Sequence, residues 1–262
     1  MLELLLTIML FILPFLILQR DVPRSGLFTG LWISLFFWGQ IHALCSILTF
    51  GVGLIYYMIQ PKGIGREVPD TWDSPEIWVP RPGARPLTGG LAMIMIFCAF
   101  GNVCTDYGMY FWLMSSFRET ATLLGFLGSL TGPIFFGALN DRKGPFFAFL
   151  FLLVTAAGSV ITTALSHDFP YCFLLGSLLM DASIAGSFTL IPLLLLRFYG
   201  RPQLSFVLPF LFLFLSGLWS ASNQFYLKAG ARPQDYLMAM AFLIVMTFPF
   251  IIRAWRHRLG VL

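Results

Sequence analysis

The sequence predicts an all-α fold, a polytopic bundle of about eight transmembrane helices. Hydrophobic residues make up 58% of the 262-residue chain and charged residues only 11%, against about 25% charged residues in soluble proteins. The hydrophobic residues are concentrated in long runs, and the basic residues lie at the ends of these runs. A helix of roughly 20 apolar residues crosses the hydrocarbon core of a bilayer, where backbone groups must pair internally.

Eight apolar runs are bounded by Gly, Pro or charged residues. The first lacks a basic start and a small-residue cleavage site before Arg20, so we expect a retained span instead of a signal peptide. The second would be about 50 Å long as a helix, and we predict one kinked span with Gly39, Gln40 and His42 near its middle. The runs are 2–19, 27–59, 90–116, 120–140, 145–166, 170–197, 203–226 and 235–252.

Composition divides the chain into four parts. Residues 61–89 contain six prolines and mixed charges without apolar periodicity, which predicts a cytoplasmic loop between two bundles. We therefore expect two transmembrane helices in 1–60, this central loop in 61–89, a six-helix bundle in 90–253 and a basic cytoplasmic tail in 254–262.

The distribution of Lys and Arg predicts the orientation, because cytoplasmic loops are enriched in both. With the N-terminus and the central loop in the cytoplasm, five basic residues face outward: Arg20, Arg24, Arg118, Lys228 and Arg232. Eleven face inward: Lys62, Arg66, Arg81, Arg85, Arg142, Lys143, Arg197, Arg201, Arg253, Arg256 and Arg258. We expect a multi-pass protein of the cell membrane with both termini cytoplasmic.

Two classes of partner are not expected. The net charge is only +4, and the basic residues form no stripe with interleaved aromatics, so nothing indicates nucleic-acid binding. The four cysteines all lie in apolar runs without a CxxC pair or a histidine at metal-ligand spacing. We therefore expect no metal site and no cofactor. The four are Cys45, Cys98, Cys104 and Cys172.

The stretch GALNDRKG at 137–144 forms a charged turn between two apolar runs. Gly137 permits close helix approach, and Gly144 supplies the backbone freedom that the chain reversal needs. Asp141 can accept hydrogen bonds from the N-terminus of an adjacent helix, while Arg142 pairs with Asp141 or with a neighbouring carbonyl. The alternative is a solvated hairpin turn that happens to contain an Asp-Arg pair.

This turn resembles the signature of the major facilitator superfamily, Gly-x-Leu-x-Asp-Arg-x-Gly, although Pro145 and Phe146 replace the two basic residues that follow it there. The stretch AGSFTLIP at 185–192, followed by RFYG at 197–200, is similar to the tenth helix of that family. The resemblance implies a six-helix C-terminal half in which the turn acts as a conformational latch. It also implies that 1–60 ends an N-terminal half, with about four helices supplied by a missing segment or by a homodimer.

Ionisable groups inside spans are costly and usually face a cavity or a partner. Asp181 lies near the predicted midplane, and Asp106 lies towards the outer part of its span. We predict that Asp181 and Asp106 line a solute or proton pathway, that Asn102 and Tyr107 supply hydrogen bonds there, and that His42 with Gln40 lines it in the second run. The alternative is that neighbouring hydroxyls and helix ends satisfy both carboxylates.

These observations predict a secondary active transporter, or part of one, that moves a small solute by alternating access and couples to protons through Asp181. A non-transport membrane subunit or scaffold with the same fold is the alternative. We do not expect an enzyme, because no Ser-His or paired-carboxylate site converges at one depth, and His167 and His257 lie at membrane edges.

Overall fold

A computed structural model describes residues 26–27, 29–31, 33–34, 84–103, 118–166, 168–169, 171–195 and 233–258. All regular structure in these ranges is helical, which confirms the all-α prediction for this part of the chain. Five helices there are long and apolar enough to cross a membrane. They are α1 (Ala84–Val103), α2 (Arg118–Lys143), α3 (Pro145–Leu165), α4 (Tyr171–Leu195) and α5 (Pro233–Arg258). The apolar runs 2–19 and 203–226 lie outside the described residues.

Three helices extend beyond the apolar runs that predicted them, and α2 (Arg118–Lys143) exceeds its run 120–140 by two residues at its start and three at its end. α1 begins at Ala84, within the predicted 61–89 loop, because a proline such as Pro86 in the first helical turn has no amide whose hydrogen bond is lost. α5 continues to Arg258, within the predicted 254–262 tail, because basic side chains are compatible with the negative end of the helix dipole. The predicted domain boundaries at 90 and 254 therefore fall inside helices.

A single residue joins α2 to α3. Gly144 has φ of 87°, a left-handed conformation that residues with a Cβ rarely adopt. Its amide donates to the Asn140 carbonyl at 2.8 Å, and this bond closes the last turn of α2. Pro145 then occupies the first turn of α3. The sequence G-P thus ends one helix and starts the next without any further connection.

α4 is the central helix of the described bundle. In α4, 78% of the apolar stretch that could cross the membrane is buried, against 33% in α2. Gly128 and Gly132 of α2 lie against the backbone of α4 at Leu178 and Ala182, so the two helices run parallel at close range. On another side of α4, Gly176 faces Thr163 of α3, which makes α3 and α4 antiparallel.

α1 and α5 pack along each other in opposite directions. Gly90 meets Ile251 near the start of α1, and Phe100 contacts Tyr236 edge-on at 5.3 Å near its described end. Phe146 of α3 stacks on Trp255 of α5 with ring centroids 4.6 Å apart. The first residues of α1 and α3 and the last residues of α2 and α5 therefore lie at one end of the bundle. We call it the turn end, because it contains Gly144.

The helical residues between Gly26 and Ser34, here called the 26–34 segment, run antiparallel to α2. Gly26 lies beside Gly137, Gly30 lies against the Pro133 carbonyl, and the Ser34 hydroxyl donates to the Leu130 carbonyl at 2.5 Å. The segment therefore starts at the turn end. The predicted orientation placed Arg20 and Arg24 on the face opposite Arg142, and both lie outside the described residues. Basic-residue counts do not fix which end holds residue 26, whereas its contact with α2 does.

Candidate functional site

The Asp141 carboxylate joins two elements that are far apart in sequence. Gly26 donates its backbone amide to Oδ1 at 2.9 Å, and Leu27 donates to Oδ2 at 2.8 Å. Both amides belong to described helical residues yet donate to the carboxylate, as amides in the first turn of a helix do because they have no intrahelical partner. Asn140 adds a weaker bond from Nδ2 to Oδ1 at 3.3 Å. We call this contact between Asp141 and the start of the segment the latch contact.

Glycines on both sides bring the latch contact within hydrogen-bonding distance. A Cβ on Gly137 would lie 2.7 Å from the Gly26 carbonyl carbon, and a Cβ on Gly26 would lie 2.8 Å from Asn140 Nδ2. Real side chains essentially never come this close, so larger residues at either position would separate the helices. Backbone-to-backbone packing of this kind is what lets a short Asp side chain reach two amides at once.

Arg142 does not complete the predicted ion pair. Its side chain is exposed, and among the described residues it forms no ion pair with Asp141. The two amides already occupy one lone pair on each carboxylate oxygen, so the charge of Asp141 is balanced mainly by the positive end of the 26–34 segment. Lys143 is likewise exposed.

The second predicted centre, Asp181, lies on α4 where that helix meets α2. Its carboxyl carbon would be 3.3 Å from a Cβ on Gly125, so the absence of a side chain at Gly125 leaves room for the carboxylate. Asp181 is partly exposed, whereas Ser183 and every later residue of α4 through Leu195 are buried. One turn before it, the buried Ser177 hydroxyl has no hydrogen-bond partner within the part of the chain that the structure describes.

The structure does not bring all the predicted pathway residues together. Asn102 of α1 is at the level of Asp181, since its neighbour Gly101 packs on Met180. However, α1 and α2 lie against different faces of α4, and Asp181 is on the α2 side. Asp106, Tyr107 and His42 lie outside the described residues.

Sequence reasoning missed three participants: Gly26, Gly125 and Ser177. Gly26 follows Pro23-Arg24-Ser25 and precedes an apolar run, a pattern typical of a helix start, and this was the available signal. Gly125 begins the spacing Gly125-xx-Gly128-xxx-Gly132, which indicates a close-packed face without indicating what it contacts. Ser177 is one helical turn from Asp181, a spacing that places both on one side of a helix.

No family model and no curated protein matches the chain. The likeness to the major facilitator superfamily therefore rests on the 137–144 turn and on the 185–192 and 197–200 stretches.

Proposed function

We propose that the chain is a secondary transporter, or part of one, that moves a small solute across the cell membrane by alternating access in the manner of the major facilitator superfamily. The latch contact carries this proposal. The turn that resembles the family signature holds the start of a helix 115 positions earlier in the chain, through Asp141 and Gly26. Such a contact connects the turn between α2 and α3 to the 26–34 segment, which is distant in sequence.

The strength of the latch contact suits a conformational switch. Hydrogen bonds to a charged group contribute about 1.5–3 kcal/mol each, and the bond to Leu27 is exposed while the bond to Gly26 is partly buried. Two such bonds amount to a few kcal/mol. A solute that binds one conformational state of the carrier more tightly than the other can offset a free energy of this size. The contact is therefore strong enough to hold one state and weak enough to release it.

Asp181 supplies the charged group that such a carrier needs within the membrane. It lies ten residues beyond Tyr171, or about 15 Å along the helix axis, near the middle of a span. A carboxylate there is costly in lipid and is tolerated where it faces a water-filled cavity or a partner. Its partial exposure beside Gly125 supports a site open to a proton or to a cationic group of the solute.

We also propose a revised topology with the turn end in the cytoplasm. Because Gly26 lies at the turn end, Arg20 and Arg24 join the eleven basic residues already assigned there, which leaves only Arg118, Lys228 and Arg232 at the opposite end. The positive-inside bias is thereby stronger than in the original assignment. If the apolar run 2–19 crosses once, Met1 faces outward and only the C-terminus is cytoplasmic.

The same geometry changes the proposed number of crossings. Gly26 and Ala84 both lie at the turn end, so the chain between them must cross the membrane an even number of times. A single kinked span over 27–59 crosses once and would leave the proline-rich, charged 61–83 stretch to cross back. We therefore propose two crossings between 27 and 60, which gives nine in the chain.

Accessibility of position 181 tests the proposed function without knowledge of the solute. Asp181→Cys is placed in a variant whose four native cysteines are replaced by serine, and sealed vesicles of each orientation are treated with a membrane-impermeant thiol reagent. Alternating access predicts labelling from both sides, because each state opens the site to one side. Ser183→Cys is the matched control on the same helix, since Ser183 is fully buried. Labelling no greater than this control from either side would favour the scaffold alternative.

A further inference from the structure

The turn end carries a second feature between the start of α3 and the end of α5, where a partly buried pair of rings lies between more exposed side chains; we call this surface the groove. The rings of Phe146 and Trp255 stack at 4.6 Å with an interplanar angle of 28°, and both side chains are partly buried. This stack forms the floor of the groove. Trp side chains are enriched at the interface between hydrocarbon and headgroups, so the floor is at headgroup level.

Exposed positive charge lies around this floor. Four exposed basic residues lie at the turn end: Arg142, Lys143, Arg253 and Arg256. Among the described residues, the only acidic side chain at that end is Asp141, whose oxygens accept the amides of Gly26 and Leu27. The other described acids lie at the opposite end or in mid-span. Among the described residues the groove is therefore electropositive, and the N-terminus of α3 adds the positive end of a helix dipole.

The two helices present apolar side chains below the basic rim. On α3, Phe147 is 46% exposed and Val154 is 57% exposed, while on α5, Ile252 is 42% exposed and Val245 is 65% exposed. These positions lie on the outward side of each helix next to the stack, from the level of the stack to about three turns towards the membrane centre. A basic rim above two apolar walls matches an anionic headgroup above two acyl chains.

We propose that the groove between α3 and α5 binds one anionic phospholipid at the turn end. Lys143 and Arg256 contact its phosphate, the glycerol backbone lies over the Phe146–Trp255 stack, and the acyl chains extend along Phe147 and Ile252. The apolar walls are the reason to assign a lipid instead of a free phosphate ion. This site does not depend on transport, and a scaffold with the same fold would also have it.

Native mass spectrometry of the purified full chain tests the proposal with phosphatidylglycerol and phosphatidylcholine as probes. Each basic residue at a membrane surface contributes about 1 kcal/mol to binding of anionic lipid, so Arg256→Gln and Lys143→Gln should each weaken phosphatidylglycerol binding about fivefold. Phosphatidylcholine binding should be unchanged. Arg256→Lys keeps the charge and should retain most of the affinity, which separates loss of charge from misfolding.

Arg253→Gln is the matched control. Arg253 is equally exposed but lies roughly 160° around α5 from Trp255, on the side away from α3, so its loss should weaken binding less than twofold. Equal losses for Arg253→Gln and Arg256→Gln would overturn the site, since they would indicate diffuse attraction to the whole turn end. Displacement of the lipid by millimolar inorganic phosphate would also overturn it in favour of a phosphate site.

Discussion

The amide of Gly26 donates to the carboxylate of Asp141 across 115 positions of sequence, at 2.9 Å. The bond fixes the 26–34 segment to the last turn of α2. It also gives the charged turn a partner in a different part of the chain, which distinguishes it from an ordinary solvated hairpin. A contact of this kind has consequences for stability, for topology and for the behaviour of Asp181.

Asp141→Ala should destabilise the protein, because the Gly26 and Leu27 amides would lose a charged acceptor. We expect a loss of about 1–3 kcal/mol, measured as a fall in the melting temperature of the detergent-purified protein. Asp141→Asn should cost less, because its amide oxygen can still accept one bond. The control is Arg142→Gln, an exposed neighbour outside the latch contact. Equal melting temperatures for Asp141→Ala and the control would contradict the contact.

Gly137→Ala should destabilise the protein by about 1–3 kcal/mol, the usual cost of forcing an added methyl group into a packed contact. The new Cβ would lie 2.7 Å from the Gly26 carbonyl carbon, and backbone cannot move aside as a flexible side chain can. Gly158→Ala is the matched control on α3, since its Cβ would meet only the Leu179 side chain at 3.6 Å. That control should be neutral or slightly stabilising in the same melting experiment. A larger loss for Gly158→Ala than for Gly137→Ala would show that the glycine contact is misplaced.

Arg24→Cys should react with an impermeant thiol reagent from the same side of the membrane as Lys143→Cys. Arg24 is two residues before Gly26, which lies at the turn end beside Asp141. Asp168→Cys marks the other side, because Asp168 is exposed in the connection between α3 and α4 at the opposite end. All three variants are compared in sealed vesicles of known orientation. Labelling of Arg24→Cys together with Asp168→Cys would restore the original assignment of Arg24 to the outside.

The turn could be predicted from sequence because its determinants are local. A glycine and a proline directly after a charged helix end specify a positive φ at Gly144 and a first-turn position for Pro145, whatever surrounds them. The partner of Asp141 could not be predicted, since any helix N-terminus satisfies a carboxylate equally well. The choice of Gly26 depends on the packing of Gly137 against it. The start of α1 was misplaced because Pro86 suggested a loop, although proline is tolerated in a first helical turn.

The site around Asp181 shows the same division between local and tertiary information. Its depth followed from counting residues along an apolar run. The contact of Asp181 with Gly125 could not be predicted in this way, because glycine spacing indicates close packing without identifying the helix that packs there. The unpartnered hydroxyl of Ser177 is also a tertiary property, since most buried serines bond to their own helix, as Ser187 does to the Ser183 carbonyl at 2.7 Å.

Gly125→Ala and Gly128→Ala should affect different properties. A Cβ on Gly128 would meet α4 backbone, at 3.0 Å from the Ala182 nitrogen, so we expect a lower melting temperature. A Cβ on Gly125 would meet the Asp181 carboxylate, which can rotate away, so stability should change little. The displaced carboxylate should instead alter thiol labelling at Ser177→Cys, one turn away. If Gly125→Ala destabilises as strongly as Gly128→Ala without affecting that labelling, Asp181 is held rigidly as a structural group.

Asp181→Asn should abolish the dependence of transport on a proton gradient, because an amide keeps the size of the carboxylate but cannot bind and release a proton. The measurement is acidification of the lumen of proteoliposomes with a pH-sensitive dye while candidate organic cations are supplied outside. Wild-type protein should give a dye response for a transported solute, and Asp181→Asn should give none while still exchanging labelled solute. Asp168→Asn is the matched control, because this exposed carboxylate lies outside the helices and should leave the response unchanged. An unaltered dye response in Asp181→Asn would assign the proton pathway to another residue and leave Asp181 as a structural group between α2 and α4.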